Sequence, residues 1–192
     1  MNSFYKLISS STSYFDNQNN VLKAYYIDTY LGLMVAVADE KVLYILEFFD
    51  KKCLEYEIKK LCVKIKSGIT VGKTVPIISI EKELELYFKG RLRVFKTSVY
   101  LLGTSFQKIV WNNLKDIPYG ETISYLDQAK VMNKTSACRA VANANGANQL
   151  AIVIPCHRVI RRDGNLGGYS AGIQRKQWLI EHENSQRISS NY

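Results

Sequence analysis

The chain has 192 residues, 47% apolar and 22% charged, a balance that suits one large or two small packed domains and excludes a disordered or fibrous protein. Lys and Arg number 26 against 17 Asp and Glu, and the net charge of +9 attracts polyanions, nucleic acid first, without naming one. The charge is spread over both halves with no long basic run. The longest apolar stretches, such as residues 31–38, are too short to span a membrane, and the N-terminus shows no signal-peptide pattern. Four cysteines, at 53, 62, 138 and 156, form no C-x-x-C pair, which argues against a disulfide framework and for a reducing compartment.

Residues 1–20 read as a flexible tail, because 9–20 are polar and poor in aliphatic residues. Two apolar runs, 31–38 and 42–49, joined at Asp39-Glu40, predict a β-hairpin. Leu54, Ile58, Leu61, Cys62 and Ile65 recur at helical spacing, which makes Cys62 a buried structural residue. Ile80, Leu84, Tyr87 and Phe88 form a second stripe, stopped by Gly90, and residues 92–99 predict another strand. This half reads as a small α/β domain. It has no His and only Cys53 and Cys62 as soft ligands, so no metal site is expected there.

The second half opens with Thr104 and Gln107 in capping-box spacing, followed by Phe106, Val110, Trp111 and Leu114 on one helix face. Pro118-Tyr119-Gly120 breaks the pattern. Ser124 caps a second predicted helix to about residue 132, and Thr135 a third, to about Gly146. The third helix is rich in Ala and Asn, with Arg139 its only cation. Such small residues suit close docking on a surface or packing against protein equally well. Residues 150–154 form a continuous apolar run that predicts a buried strand ended by Pro155. Segments 159–161 and 165–167 flank Asp163-Gly164 as a predicted hairpin, placed where a winged helix carries its wing. Ile173, Trp178 and Leu179 mark a last helix ending near Glu183.

The stretch 154–159, I-P-C-H-R-V, carries the most chemistry. A thiolate is the reactive form of cysteine, and a neighbouring imidazole, itself oriented by an acceptor, can take the thiol proton. From the residues alone, Cys156 reads equally as a nucleophile or as a small buried hydrophobe.

Residues 104–183 resemble the O6-alkylguanine-DNA alkyltransferases, the methylated-DNA–protein-cysteine methyltransferase family. The match runs in order through TSFQKIVWNNLKDIPYGETISY, CRAVANANGANQLAIVIPCHRVI, DGNLGGYSAG and KQWLIEHE. The resemblance implies an α/β N-terminal domain (21–100), ribonuclease-H-like in layout, followed by a mainly α winged helix-turn-helix domain (101–185) and a tail (186–192). It implies DNA repair by direct reversal: one irreversible transfer of the alkyl group from O6-alkylguanine, and from O4-alkylthymine, to the protein's own cysteine. On that resemblance Cys156 is the acceptor, His157 acts through a water on its thiol, and Glu183 orients His157. Tyr125 gives a proton toward guanine N3, and Arg139 fills the gap left by the flipped base. Asn148 braces the turn that holds the cysteine. Tyr169 and Ser170 wall the pocket, and the carbonyls of Cys156 and Val159 accept from the base. The implied partner is double-stranded DNA entered from the minor groove. No cofactor, metal or membrane is implied, and the protein would be a monomer in the cytoplasm, nucleoid-associated in a bacterium.

There are departures from the family pattern. Ser105 and Gln149 stand where Pro is frequent, Cys138 precedes Arg139, and Ala171 replaces a common Gly beside the pocket loop. Three other readings remain open from sequence: a non-catalytic alkyltransferase-like lesion binder, a winged-helix regulator and a cysteine hydrolase. The presence of Cys156 argues against the first. The scarcity of base-reading side chains on the third helix argues against the second. Nothing identifies an oxyanion hole for the last.

Overall fold

In the computed structural model, which describes residues 4–8 and 21–188, the two apolar runs of the first half become antiparallel neighbours, β2 (Met34–Ala38) and β3 (Leu43–Phe48). Every residue of both strands is buried, which is why they read as continuous rather than alternating. Two strands of this half escaped the sequence reading. β1 (Leu22–Ile27) pairs antiparallel with β2 and parallel with β4 (Ile69–Val71), giving the order β3-β2-β1-β4. The first has a broken alternation with two half-exposed tyrosines, and the second is only three residues long.

Helix α1 (Leu54–Ile65) lays Leu54, Ile58, Leu61 and Cys62 into the core beside Leu22, Val35 and Ile45. Cys62 is buried there as a packing residue. Helix α2 (Val75–Phe88) buries Ile77, Ile80, Leu84 and Tyr87. Residues 92–99 are not a strand. Glu83 of α2 accepts the amides of Lys96 and Thr97, so a side chain takes the bonds a ladder would have made, and only Val99 pairs, with Leu43. Part of the expected tail is also corrected. Residues 4–8 are helical and bury Phe4 and Ile8 in the core, while 1–3 and 9–20 lie outside the described residues. This first unit, Met1–Leu102, also holds a buried ion cluster. Lys51 Nζ lies 2.6 Å from Glu47 Oε1 and 3.0 Å from Glu57 Oε1, and Cys53 Sγ donates to Glu57 at 3.4 Å.

The second unit, Gly103–Tyr192, is mainly helical. Thr104 makes a complete capping box with Gln107 at the head of α3 (Ser105–Lys115), and Ser124 accepts from the Asp127 amide at the head of α4 (Tyr125–Val131). Helix α5 (Cys138–Gly146) packs on both. Trp111 Nε1 donates to Ala144 O at 2.7 Å, and the buried amides of Gln128 and Asn145 pair at 2.7 Å. Thr135 does not cap α5; it opens a short 3₁₀ turn, Thr135–Ala137, that leads into it. Residues 161–167 make a tight turn through Asp163-Gly164, but the expected hairpin arms do not pair as strands. Instead β6 (Val159–Ile160) runs parallel to β5 (Ile123–Ser124). Helix α6 (Ile173–Ile188) continues past Glu183 into the segment expected to be tail, since nothing in 184–188 is a helix breaker; 189–192 lie outside the described residues. Among the described residues no helix is long and apolar enough to cross a membrane.

Candidate active site

Residues 150–154 are buried as expected except for the partly exposed Val153, yet they form a tight coil rather than a strand. The reason is Asn148. Its Oδ1 accepts from Leu150 N at 3.0 Å, and its Nδ2 donates to Ile154 O at 2.8 Å, so one buried side chain satisfies the backbone that a sheet would otherwise serve. Ile152 is left at φ +72°, a conformation β-branched residues rarely adopt. The same Nδ2 lies 3.3 Å from Cys156 Sγ, which ties the coil to the thiol. Pro155 then leads into a single 3₁₀ turn, Cys156–Arg158.

At about three residues per turn, consecutive side chains in that turn point in different directions. Cys156 faces a cavity and is 7% exposed, whereas His157 is fully buried and points toward α6. There His157 Nε2 donates to Glu183 Oε1 at 3.0 Å. Glu183 also accepts from Arg158, Nε to Oε2 at 2.8 Å and Nη2 to Oε1 at 3.0 Å, and from the Gly120 amide at 3.1 Å. Gly120 has φ +75°, and a Cβ there would meet Glu183 O at 2.9 Å, so the turn that reaches the carboxylate needs glycine. Burial alone would raise the Glu183 carboxyl, but His157 and Arg158 hold it well below the usual carboxylate range. Burial pushes the His157 imidazole below its ordinary value against the pull of Glu183, and Arg158 and Lys176 push it the same way. His157 Nδ1 is buried with no hydrogen-bond partner among the described residues.

The cavity has a volume of about 650 Å³, and its lining includes Tyr125, Cys138, Arg139, Cys156, Tyr169 and Ser170. Arg139 is exposed, and Tyr125 is half-buried. Burial, followed by the charge of Cys156, raises the Tyr125 phenol. Gly167, at φ +69°, lets the loop pass the Tyr125 ring, where a Cβ would come within 3.2 Å. Asn148, His157, Val159 and Glu183 stand behind the lining rather than in it. The Val159 carbonyl already accepts from Lys176 Nζ at 2.5 Å. Ala171 is buried outside the lining, so its methyl group does not narrow the cavity.

Sequence reasoning missed two buried cations of the site. Arg158 gave no signal beyond following His157. Lys176 shares an i, i+3, i+7 stripe with Leu179 and Glu183, all buried, and that spacing could have marked it. Its ammonium also contacts Gly168 O at 3.4 Å and sits 5.7 Å from the Tyr125 ring centroid. Burial pushes its pKa down to about 8, against the opposing charge of Cys156. Among the described residues no group of three or more His, Cys, Asp or Glu could hold a metal ion.

Residues 105–185 match the family described as 6-O-methylguanine DNA methyltransferase, DNA binding domain. A methylated-DNA–protein-cysteine methyltransferase of Methanosarcina acetivorans is 48% identical over 104 residues, 54% of this chain and 67% of its own length. The enzyme of that name from Salmonella typhimurium is 47% identical over 105 residues, 54% of this chain and 61% of its own length. Mycobacterium tuberculosis OGT, solved in complex with DNA, superposes with a TM-score of 0.74 at 34% identity, covering 85% of this chain and 94% of that one. This chain belongs to the methylated-DNA–protein-cysteine methyltransferase family. A second solved member, the O6-methylguanine-DNA methyltransferase of Pyrococcus kodakaraensis, superposes with a TM-score of 0.60 at 27% identity over 84% of this chain and 98% of that one. The alignments with the curated methyltransferases thus span about three-fifths to two-thirds of those proteins, while the superpositions reach beyond the second unit.

Proposed function

We propose that this methyltransferase repairs O6-alkylguanine in double-stranded DNA by moving the alkyl group to Cys156, once per molecule. The observation that carries the reading is the placement of a thiol at the wall of a cavity while the adjacent imidazole, turned away from it, is paired with an ionised carboxylate. In the reaction the sulfur attacks the alkyl carbon. A carbon–sulfur bond forms as the carbon–oxygen bond breaks, His157 takes the thiol proton through a water, and Tyr125 gives a proton toward guanine N3. The product is a thioether, which thiols do not exchange as they exchange disulfides, so the site does not reset. The DNA supplies the alkyl group, and no cofactor enters.

A target carbon hidden in a duplex requires the nucleotide to be turned out of the stack. On this reading α4 and α5 form the helix-turn-helix, and α5 docks its small residues in the minor groove with Arg139 in the gap. The turn at 161–164 takes the place of a wing, and Tyr169 and Ser170 wall the base. Asn148 braces the reactive turn. The Val159 carbonyl faces the base only by sharing its second lone pair, because Lys176 holds the first. The first unit has a ribonuclease-H-like layout. O4-alkylthymine is a second substrate, the protein works as a monomer, and its place is the cytoplasm or nucleoid. Incubation with duplex carrying a labelled O6-methylguanine should leave the label on the peptide that contains Cys156, and Cys156→Ala should bind DNA without taking the label. Transfer by that variant, or label on another residue, would overturn the assignment.

A further inference from the structure

Glu183 faces two cationic side chains, and the reaction as described uses only one. Arg158 is 7% exposed, and all its contacts serve one purpose. Its Nε and Nη2 grip both carboxylate oxygens of Glu183, at 2.8 and 3.0 Å, and its Nη1 donates to Ile117 O at 2.7 Å. The guanidinium carbon lies 5.6 Å from the Tyr119 ring centroid. Oxygen Oε1 is therefore shared between His157 and Arg158, and Oε2 between Arg158 and the Gly120 amide.

We propose that Arg158 is a positioning residue for alkyl transfer: by gripping Glu183 it keeps His157 neutral, with its proton on Nε2 and its lone pair on Nδ1, so that the thiol meets a neutral base rather than a stored thiolate–imidazolium pair. The inference rests on the alkyl-transfer reading of the site.

Two arguments carry it. The first is charge balance. One carboxylate and one guanidinium, which stays protonated, already make a neutral buried pair. The charged groups that face His157 are Glu183 and Lys176 from α6 and Arg158 from its own turn. A proton on His157 would add positive charge to a site where burial already penalises it, and a Cys156 thiolate, the group that could balance it, stands on the cavity side of the turn while the ring points to Glu183. The second is tautomer. An ionised carboxylate only accepts, so Nε2 must carry the hydrogen, and Nδ1 is left as the acceptor. A neutral imidazole with a free Nδ1 can take a proton during attack, whereas an imidazolium cannot.

Nitrogen-15 NMR of His157, with His182→Gln used to assign the two histidines, tests this in the DNA-free wild-type protein. The expected result at pH 7 is a neutral ring with hydrogen on Nε2, still neutral below the ordinary imidazole value. An imidazolium at pH 7, or hydrogen on Nδ1, would overturn the proposal without any variant having to fold. Arg158→Gln keeps a donor but removes the charge, so the His157 midpoint should rise by about one pH unit or more. The Cys156 thiolate absorbance, read with Cys53, Cys62 and Cys138 replaced by alanine, should rise at correspondingly lower pH. Arg158→Lys restores the charge and should return both midpoints toward wild type. A purely structural arginine would change stability and leave both midpoints in place, and that result also overturns the proposal. Alkyl transfer is scored separately on duplex DNA, so loss of the function reading and loss of this one give different signatures.

Discussion

Each unit buries a small ion cluster, and the two behave in opposite ways. In the first, Lys51 is one cation between two carboxylates, Glu47 and Glu57. In the second, Glu183 is one carboxylate between Arg158 and His157. Burial dominates Glu47 and pushes its carboxyl up to about 7 despite Lys51, and its Oε2 has no hydrogen-bond partner among the described residues. Glu183 is as deeply buried, yet its pKa falls, because four donor groups meet its two oxygens. Depth of burial does not decide whether a carboxylate stays charged; the number of donors reaching it does. A thiol lies near each cluster. Burial and then Glu57 raise the pKa of Cys53, a setting that disfavours reactivity. Cys156 instead accepts from an amide and has a base on the next residue.

The sharpest way to break this contrast is Glu183→Gln, which keeps the shape and removes the charge. Alkyl transfer should slow by roughly 10²–10⁴-fold, the usual worth of general-base help, with DNA affinity nearly unchanged. Single-turnover rates across pH check it, and wild-type rates in the variant would reduce Glu183 to a structural anchor.

The next effect is a divergence with pH. Glu47 has a folded pKa above its ordinary 4.5, so the native state holds more protons between pH 4.5 and about 7, and the first unit loses stability as pH rises through that window. The loss is at most about 3 kcal/mol, because a difference of one bound proton changes stability by about 1.36 kcal/mol for each pH unit crossed. His157 is shifted the other way for a base, below 6.5, so the unfolded chain binds the extra proton and the second unit loses stability as pH falls below about 6.5. Glu183, shifted below 4.5, adds a further loss as pH drops beneath that value. Hydrogen exchange should therefore show protection rising in one unit and falling in the other on acidification from pH 7 to 5. Glu47→Gln should flatten the first trend and leave the second. Parallel trends in both units would remove the contrast. The smallest effect calibrates the rest: the Lys59–Glu55 pair on α1 is exposed, and Glu55→Ala should change the free energy of unfolding, read by denaturant titration, by no more than about 0.5 kcal/mol.

What sequence could show followed the range of the interactions. Capping boxes and helical stripes are local, and Thr104, Ser124 and the α1 face were legible from a few neighbouring residues. The run at 150–154 announced burial but not shape, because the side chain that shapes it, Asn148, does from outside the run what a neighbouring strand would do. The 92–99 segment failed for the same reason, with Glu83 as the distant partner. In the site, the resemblance named Tyr125, Arg139, Cys156, Tyr169 and Ser170 among the residues that line the cavity, and the His157–Glu183 pair behind it. Arg158 and Lys176 stayed hidden because a cation in a sequence reads as solvated until the structure supplies a carboxylate or carbonyl to hold it.

The Glu183 cluster joins residues far apart in the chain: Gly120 and Ile117 on one side of the reactive turn, His157 and Arg158 within it, Glu183 beyond it. Such distant contacts close late, after local helices have formed. During synthesis the cysteine emerges before Glu183 does. Until α6 docks, no carboxylate stands behind His157, and Arg158 has nothing to grip. On the proposed single transfer each folded molecule counts once, and a chain whose last helix has not docked lacks the carboxylate on which the site is built.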